Sequence, residues 1–210
     1  MQIAARQSES GQSSTKFDRT HEVILKAAAR LFCEKGYAAS TLRDIAASAG
    51  MKAGSLYYHF NSKEEMLDAI LDQGVREIYE GVAAVIQADV ASSDYRSKIA
   101  AAVHAHLSLI LARSEITSAN IRIFGQLPAE IQDRHRPLRH AYAALWEALL
   151  TDAQEAGALR DSIEIVPLRE FLLGALNWTV EWFDEDRHSV DAVASRCTDL
   201  ILHGISAESP

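Results

Sequence analysis

From residue 17 onward the apolar residues recur at intervals of three and four, the spacing of one face of an α-helix. No segment alternates apolar and polar residues over several positions as a half-buried strand does. Ile24, Ala28, Leu31 and Phe32 share one face of a first helix, which Gly36 ends. Leu42, Ile45, Ala46 and Ala49 mark a short second helix, and Thr41 with Asp44 makes an [ST]-x-x-[DE] capping box at its start. A third short helix follows Gly50, through Leu56 to Phe60. Ser62 and Glu65 repeat the capping box and open a long helix with the stripe Leu67, Ile70, Leu71, Gly74, Ile78, Val82 and Val85. Gly74 and Gly81 inside that helix predict a bend or a close contact.

Beyond Ser92–Ser93 the pattern predicts helices at about 94–113 and 115–125. Pro128 suits a first helical position and Pro137 a break or kink, ahead of a long helix at about 138–156 that Gly157 ends. Two more helices run from Val166–Pro167 to about Phe183 and from Ser189 to about Ile205. The chain therefore reads as all-α, with about nine helices. Residues 1–16 are polar and rich in Ser and Gln, and read as a disordered N-terminal arm.

Composition adds bounds. At 210 residues, 48% hydrophobic and 24% charged, the chain has enough apolar side chains for one large domain or two small ones. Only 4 Pro and 10 Gly exclude collagen-like and low-complexity classes. The net charge of −8 argues by itself against a nucleic-acid partner. Its distribution reverses that reading. Residues 17–63 carry seven basic and four acidic residues, a net of +3, which leaves −11 on the rest. Cys33 and Cys197 lie far apart in helical patterns, as buried thiols of a reducing cytoplasm do. No apolar run reaches the roughly 18–20 residues of a membrane span, and the N-terminus lacks the apolar stretch of a secretory signal.

The informative stretch is Thr41–Phe60. Two short helices joined by a tight turn must cross steeply, which demands particular residues at fixed offsets. Counting from Leu42, the fifth position is the small Ala46 and the ninth is Gly50, able to take a positive φ. Ile45, Ala49, Met51 and Leu56 are apolar and supply the inner contact. This is the pattern of a helix-turn-helix, whose second helix enters the DNA major groove. An ordinary αα-hairpin inside a core would have to bury Tyr57, Tyr58 and His59 in a row, which one helix cannot do.

The run Gly36-Tyr37, Thr41-Leu-Arg-Asp-Ile-Ala, Ala49-Gly50, Gly54-Ser-Leu-Tyr-Tyr-His-Phe60 and Ser62-Lys-Glu-Glu-Met-Leu67 resembles the N-terminal domain of the tetracycline-repressor (TetR) family. The resemblance covers about residues 17–70. It implies a homodimeric regulator with a DNA-binding domain at 17–70 and a helical ligand-binding and dimerisation domain at 71–210. It also implies roles in DNA binding for Thr41, Arg43, Gly54, Ser55, Tyr57, Tyr58, His59 and Lys63. Chemistry supports these roles. Thr41 offers a hydroxyl and helix-terminal N–H groups to phosphate, and Arg43 points away from the apolar face. Gly54 permits close backbone approach, Ser55 is short enough for a base edge, and Tyr57, Tyr58 and His59 offer donors. Lys63, in the first turn of the fourth helix, suits a backbone clamp. Lys52 departs from the family's usual Ser or Thr: it cannot cap the helix but can meet a phosphate.

In the second domain, Leu168, Phe171, Leu172, Ala175, Trp178, Thr179 and Trp182 share one face of a helix, with Leu173, Leu176, Val180 and Phe183 on the other. A helix apolar nearly all round is buried on both sides, so one side is assigned to a partner subunit and the other to its own interior. Val190, Val193, Cys197, Leu200 and Ile201 fit the rest of a dimer interface, formed by helices at about 167–183 and 189–205. His106 falls on an apolar stripe, either as a ligand contact or as a satisfied core histidine. Trp178 and Trp182 either line a pocket or fill the core. Arg122 and Phe124 lie where an anionic ligand could sit, although Arg122 equally suits an acidic neighbour. Asn177–Phe183 also resembles the corresponding helix of TetR-family regulators of lipid and steroid degradation, some of which respond to acyl-CoA thioesters.

The histidines show no metal-ligand spacing and no CxxC or HExxH occurs, so no metal or cofactor is expected. No Ser/His/Asp cluster, Cys/His pair or P-loop is legible, which weighs against an all-helical enzyme and leaves no catalytic residue to assign. The function expected is that of a ligand-responsive transcriptional regulator: a repressor released from a palindromic operator by a largely apolar effector. An architectural DNA-binding protein is the alternative, against which the size of the second domain argues.

Overall fold

The computed structural model describes residues 3–88, 94–111 and 115–205, with side chains from residue 17. Among these residues there are nine helices and no strand: α1 (Ile3–Lys35), α2 (Leu42–Ser48), α3 (Ala53–Leu56), α4 (Lys63–Ala88), α5 (Tyr95–Leu111), α6 (Glu115–Phe124), α7 (Ala129–Glu155), α8 (Ile165–Trp182) and α9 (Val190–Ile205). The Ser92–Ser93 break lies outside the described residues.

Two expectations change. Helix α1 runs back to Ile3, where the sequence reading has a disordered arm over residues 1–16. No proline interrupts Ile3–Lys16, and extending a nucleated helix costs far less than starting one. Pro137 does not break the chain either: α7 is continuous for 27 residues, with Pro128 at its N-cap rather than at the first helical position. Ile131 and His135 before the proline, and Tyr142 and Trp146 after it, are all buried, so packing holds the helix together across the proline.

The N-terminal helices pack around Ile24, Phe32, Ile45, Leu56, Phe60, Leu67 and Ile70. This core also takes Ile116, Ala119 and Ile123 from α6, so α1–α4 are built onto the larger part of the chain. A second core gathers Val82, Val103, Trp146, Leu150, Leu172 and Leu176. Helix α4 belongs to both. It lies so close to α6 that a Cβ on Gly74 would meet Asn120 Cβ at 2.7 Å and the Ile116 carbonyl at 3.1 Å; the expected close contact is there. Helix α7 is braced on α4 by His135, whose Nδ1 and Nε2 lie 2.8 Å from Asp72 and Asp68 carboxylate oxygens. Arg134 adds bonds to Glu64 and Asp68.

Candidate nucleic-acid interface and buried cavity

The α2–α3 unit is set by local chemistry. The Thr41 hydroxyl accepts the Asp44 N–H at 3.2 Å, and the Asp44 carboxylate accepts the Thr41 N–H and O–H at 3.3 and 2.9 Å. Those donors hold the Asp44 carboxyl below the usual carboxylate range. Gly50 takes φ +68° at the turn, where a side chain would be strained. Ile45, Ala46 and Leu56 are buried beneath. Lys52 stands at the α3 N-cap without a side-chain capping bond, as its chemistry requires.

On the opposite side Thr41, Arg43, Lys52, Gly54, Ser55, Tyr57 and Tyr58 are all exposed; Tyr58 is 86% and Tyr57 56% accessible. A Cβ on Gly54 would meet nothing within 4 Å, so the protein's own packing does not require this glycine. Lys26 and Lys35 lean on Glu22 and Asp44, which removes them from the free positive charge of the module.

Two predicted contacts turn inward instead. Lys63, expected as a backbone clamp, donates from Nζ to the carbonyls of Tyr37, Ser40 and Ala38 at 2.6, 2.9 and 3.3 Å, above the Tyr37 ring. An ammonium has three N–H groups, and these carbonyls use them to close the loop after α1. His59 is half-buried and stacks on Phe17 of α1 at 4.5 Å, away from the exposed tyrosines. Beside it the His21 ring meets Phe60 at 4.3 Å, and burial lowers the His21 pKa. Ser40, missed in the sequence, bonds the Gly36 carbonyl at 2.8 Å and completes the same loop. Nothing in its spacing announces that role.

In the second core a cavity of about 330 Å³ opens between α7 and α8, with walls from α4, α5 and α6. Val75, Ile78, Ile121 and Leu173 supply apolar surface; His106, Asn120, Arg139, Tyr142 and Asn177 supply polar groups. His106 is 1% exposed, with Nδ1 2.6 Å from the Tyr142 hydroxyl and Nε2 3.2 Å from Asn177 Oδ1. Burial pushes its pKa down to about 4, so the ring is neutral: Nε2–H donates to Asn177 and Nδ1 accepts from Tyr142. The Tyr142 hydroxyl is raised by burial. His106 is thus a satisfied buried histidine, and its ring also lines the cavity.

Arg139, not singled out in the sequence, lies in the cavity wall. Its guanidinium sits 3.5 Å over the Phe124 ring, and Nη2 donates to the Asn120 carbonyl at 3.3 Å and to the Asn120 side-chain oxygen. Its Nε is buried without a partner, and burial lowers its pKa to about 10. A sequence signal exists: Arg139 precedes Tyr142 by three residues and Trp146 by seven, on the buried stripe of α7.

The other ligand candidates fall elsewhere. Arg122 pairs through Nε with Glu181 at 3.1 Å and donates to the Val180 carbonyl, which selects the acidic-neighbour reading. Phe124 packs on the N-terminal core, beneath Arg139. Trp178 and Trp182 are 66% and 47% exposed and line neither the cavity nor the core. Together with Phe171 they form an outward stripe, while Leu172 and Thr179, expected on that face, are buried with Leu176 and Val180. At about 100° per residue, Leu172 and Thr179 lie nearly a quarter-turn from the Phe171–Trp178 line, far enough to face inward. On α9, Val193 is likewise buried in its own core, whereas Leu200 is exposed beside Phe171.

One cluster not legible in the sequence also forms. His104 Nε2 is 2.8 Å from Asp191, and Ser108 Oγ is 3.4 Å from His104 Nδ1. Both His104 and Ser108 sit inside α5, whose backbone N–H groups are spent on the helix and do not turn to the serine as oxyanion donors. No single helix among the described residues is long and apolar enough to cross a membrane.

Comparison with known proteins places these features in a lineage. The family model of bacterial regulatory proteins, tetR family, matches residues 24–70, and that of the tetracyclin repressor-like C-terminal domain matches residues 92–205. The HTH-type transcriptional repressor KstR2 of Rhodococcus jostii is 27% identical over 190 residues, 88% of this chain and 90% of that protein. The TetR family transcriptional regulator PfmR of Thermus thermophilus superposes with a TM-score of 0.74 at 27% identity, over 86% of this chain and 97% of that one. AibR, solved with isovaleryl coenzyme A and operator DNA, shares the fold with a TM-score of 0.75 at 23% identity, over 90% of this chain and all of that one.

Proposed function

The chain belongs to the tetR family of bacterial regulatory proteins and is a DNA-binding transcriptional regulator, and from that premise we propose that it is a homodimeric repressor released from a palindromic operator by a small effector held in the α4–α8 cavity. The observation that carries the DNA contact is the outward face of α2 and α3, where exposed Arg43, Lys52, Ser55, Tyr57 and Tyr58 surround a glycine that internal packing does not need. Such a face suits a helix laid in the major groove, with most contacts to phosphate and few to base edges. In this reading Lys63 and His59 position the face rather than touch DNA.

Dimerisation supplies the two-fold symmetry that a palindrome requires. Phe171, Trp178 and Leu200, 76%, 66% and 77% exposed, lie along α8 and α9 and suit burial against a second copy. The cavity's apolar walls suit a largely hydrocarbon effector, and the ligand in the AibR structure makes the acyl part of a CoA thioester a candidate. Effector binding would favour a spacing of the two recognition helices that no longer matches half-sites one helical turn apart.

The test is a mobility shift on the palindrome nearest the encoding gene. Tyr57→Ala is expected to weaken the shift about tenfold or more without altering helicity. Unchanged affinity in both Tyr57→Ala and Tyr58→Ala would remove this face from the interface.

A further inference from the structure

Arg139 is a cation without a counter-ion. Among the described residues no carboxylate lies within ion-pairing distance of it; Glu170, at the same cavity, is taken by Arg169. Two bonds reach Asn120, a neutral partner, and Nε has none. Both ring nitrogens of His106 are already matched, by the Tyr142 hydroxyl and by Asn177 Oδ1, and the groups in this chain carry no charge to balance the guanidinium. Arg139 is half-buried, and a cation partly withdrawn from water without an ionic partner is costly; the complement that offsets the cost is an anion with two oxygens in a plane.

We propose that the cavity takes an effector bearing a carboxylate, which pairs with the Arg139 guanidinium while its hydrocarbon part lies against Val75, Ile78 and Leu173. This rests on the reading of the cavity as the effector site and goes beyond it by assigning the charge of the ligand and the residue that reads it. Arg139 is also placed to report occupancy. It bonds Asn120 and stacks on Phe124, both on α6, and Asn120 packs against Gly74 of α4, the helix that follows the DNA-binding face. A carboxylate that draws the guanidinium away from Asn120 loosens this α6–α4 contact.

Calorimetric titration of the full-length protein with octanoate, octan-1-ol and octanoyl-CoA tests the assignment. Octanoate is expected to bind saturably and about tenfold more tightly than the alcohol, as a charge-assisted pair requires. Arg139→Gln should abolish that preference, Arg139→Lys should keep part of it, and Arg122→Gln should leave it intact. With [1-13C]octanoate on the unaltered protein, the bound carboxyl should titrate below the free acid, a readout that needs no variant to fold. Absence of octanoate binding, equal affinity for acid and alcohol, or a preference that survives Arg139→Gln overturns the proposal. Binding of octanoyl-CoA alone overturns the carboxylate but leaves the cavity as effector site; failure of the ligand-free protein to shift its operator overturns the regulator reading instead.

Discussion

Lys63 and Lys52 show how a side chain's partners, rather than its type, decide its role. Both are cations near the recognition helix, but the ammonium of Lys63 is spent on three backbone carbonyls. Lys63→Ala should therefore lower the thermal midpoint, by the loss of about 2 kcal/mol of charged hydrogen bonding, and leave the salt dependence of operator binding unchanged. Lys52→Ala should do the reverse, preserving the midpoint and reducing the log–log salt slope by about 0.9 for each phosphate that the lysine neutralises. Calorimetric melting and filter binding over a salt series separate the two. His106 gives a pH prediction. Its folded pKa, about 4, lies below the unfolded value near 6.5, so its contribution is complete above pH 6.5 and is lost as pH falls toward 4. The difference amounts to about 3 kcal/mol, and His106→Gln should flatten the stability–pH curve in that window. At this scale the motif residues of α2 and α3 were legible because turn and cap chemistry is local. Arg139 was overlooked because a lone cation on an apolar stripe shows its function only when the wall around it is seen.

The joint between α4 and α6 depends on Gly74. Adding a methyl there would force it within 2.7 Å of Asn120 Cβ and 3.1 Å of a backbone carbonyl, neither of which is the far end of a flexible side chain. Gly74→Ala should destabilise the fold by about 1–3 kcal/mol, measured by urea denaturation, despite the better helix propensity of alanine. The close contact expected at Gly74 is therefore present, and periodicity alone could not name its partner. Pro137 teaches the opposite lesson. Of the break or kink that intrinsic helix chemistry predicts, the break is absent: buried side chains on both sides of the proline keep α7 continuous. Helix α8 was read as apolar nearly all round, with Leu172 and Thr179 on the face of Phe171 and Trp178; these two belong inside, while that face is exposed.

For the whole molecule, the exposed stripe of Phe171, Trp178 and Leu200 is a large apolar surface for a chain with net charge −8. Trp178→Glu with Phe171→Glu should convert a dimer into a monomer in sedimentation velocity and weaken operator binding by orders of magnitude, since paired half-sites act at high effective concentration. The charge split between +3 on residues 17–63 and −11 elsewhere remains consistent with one module made for DNA and another that is not, and the pairs Lys26–Glu22 and Lys35–Asp44 cancel within that +3 without changing it. The amino-acid sequence by itself determined the all-helical class, the helix-turn-helix and its outward residues, because helical period, caps and turn glycines act over a few neighbouring positions. Only the tertiary structure decided that Lys63 serves a loop 26 residues away, that Arg122 is paired with Glu181 of α8 while Arg139 has no carboxylate partner among the described residues, and that the tryptophans of α8 face outward. Those outcomes depend on which helices meet and at what angle, a balance of packing over the whole chain that no local pattern encodes.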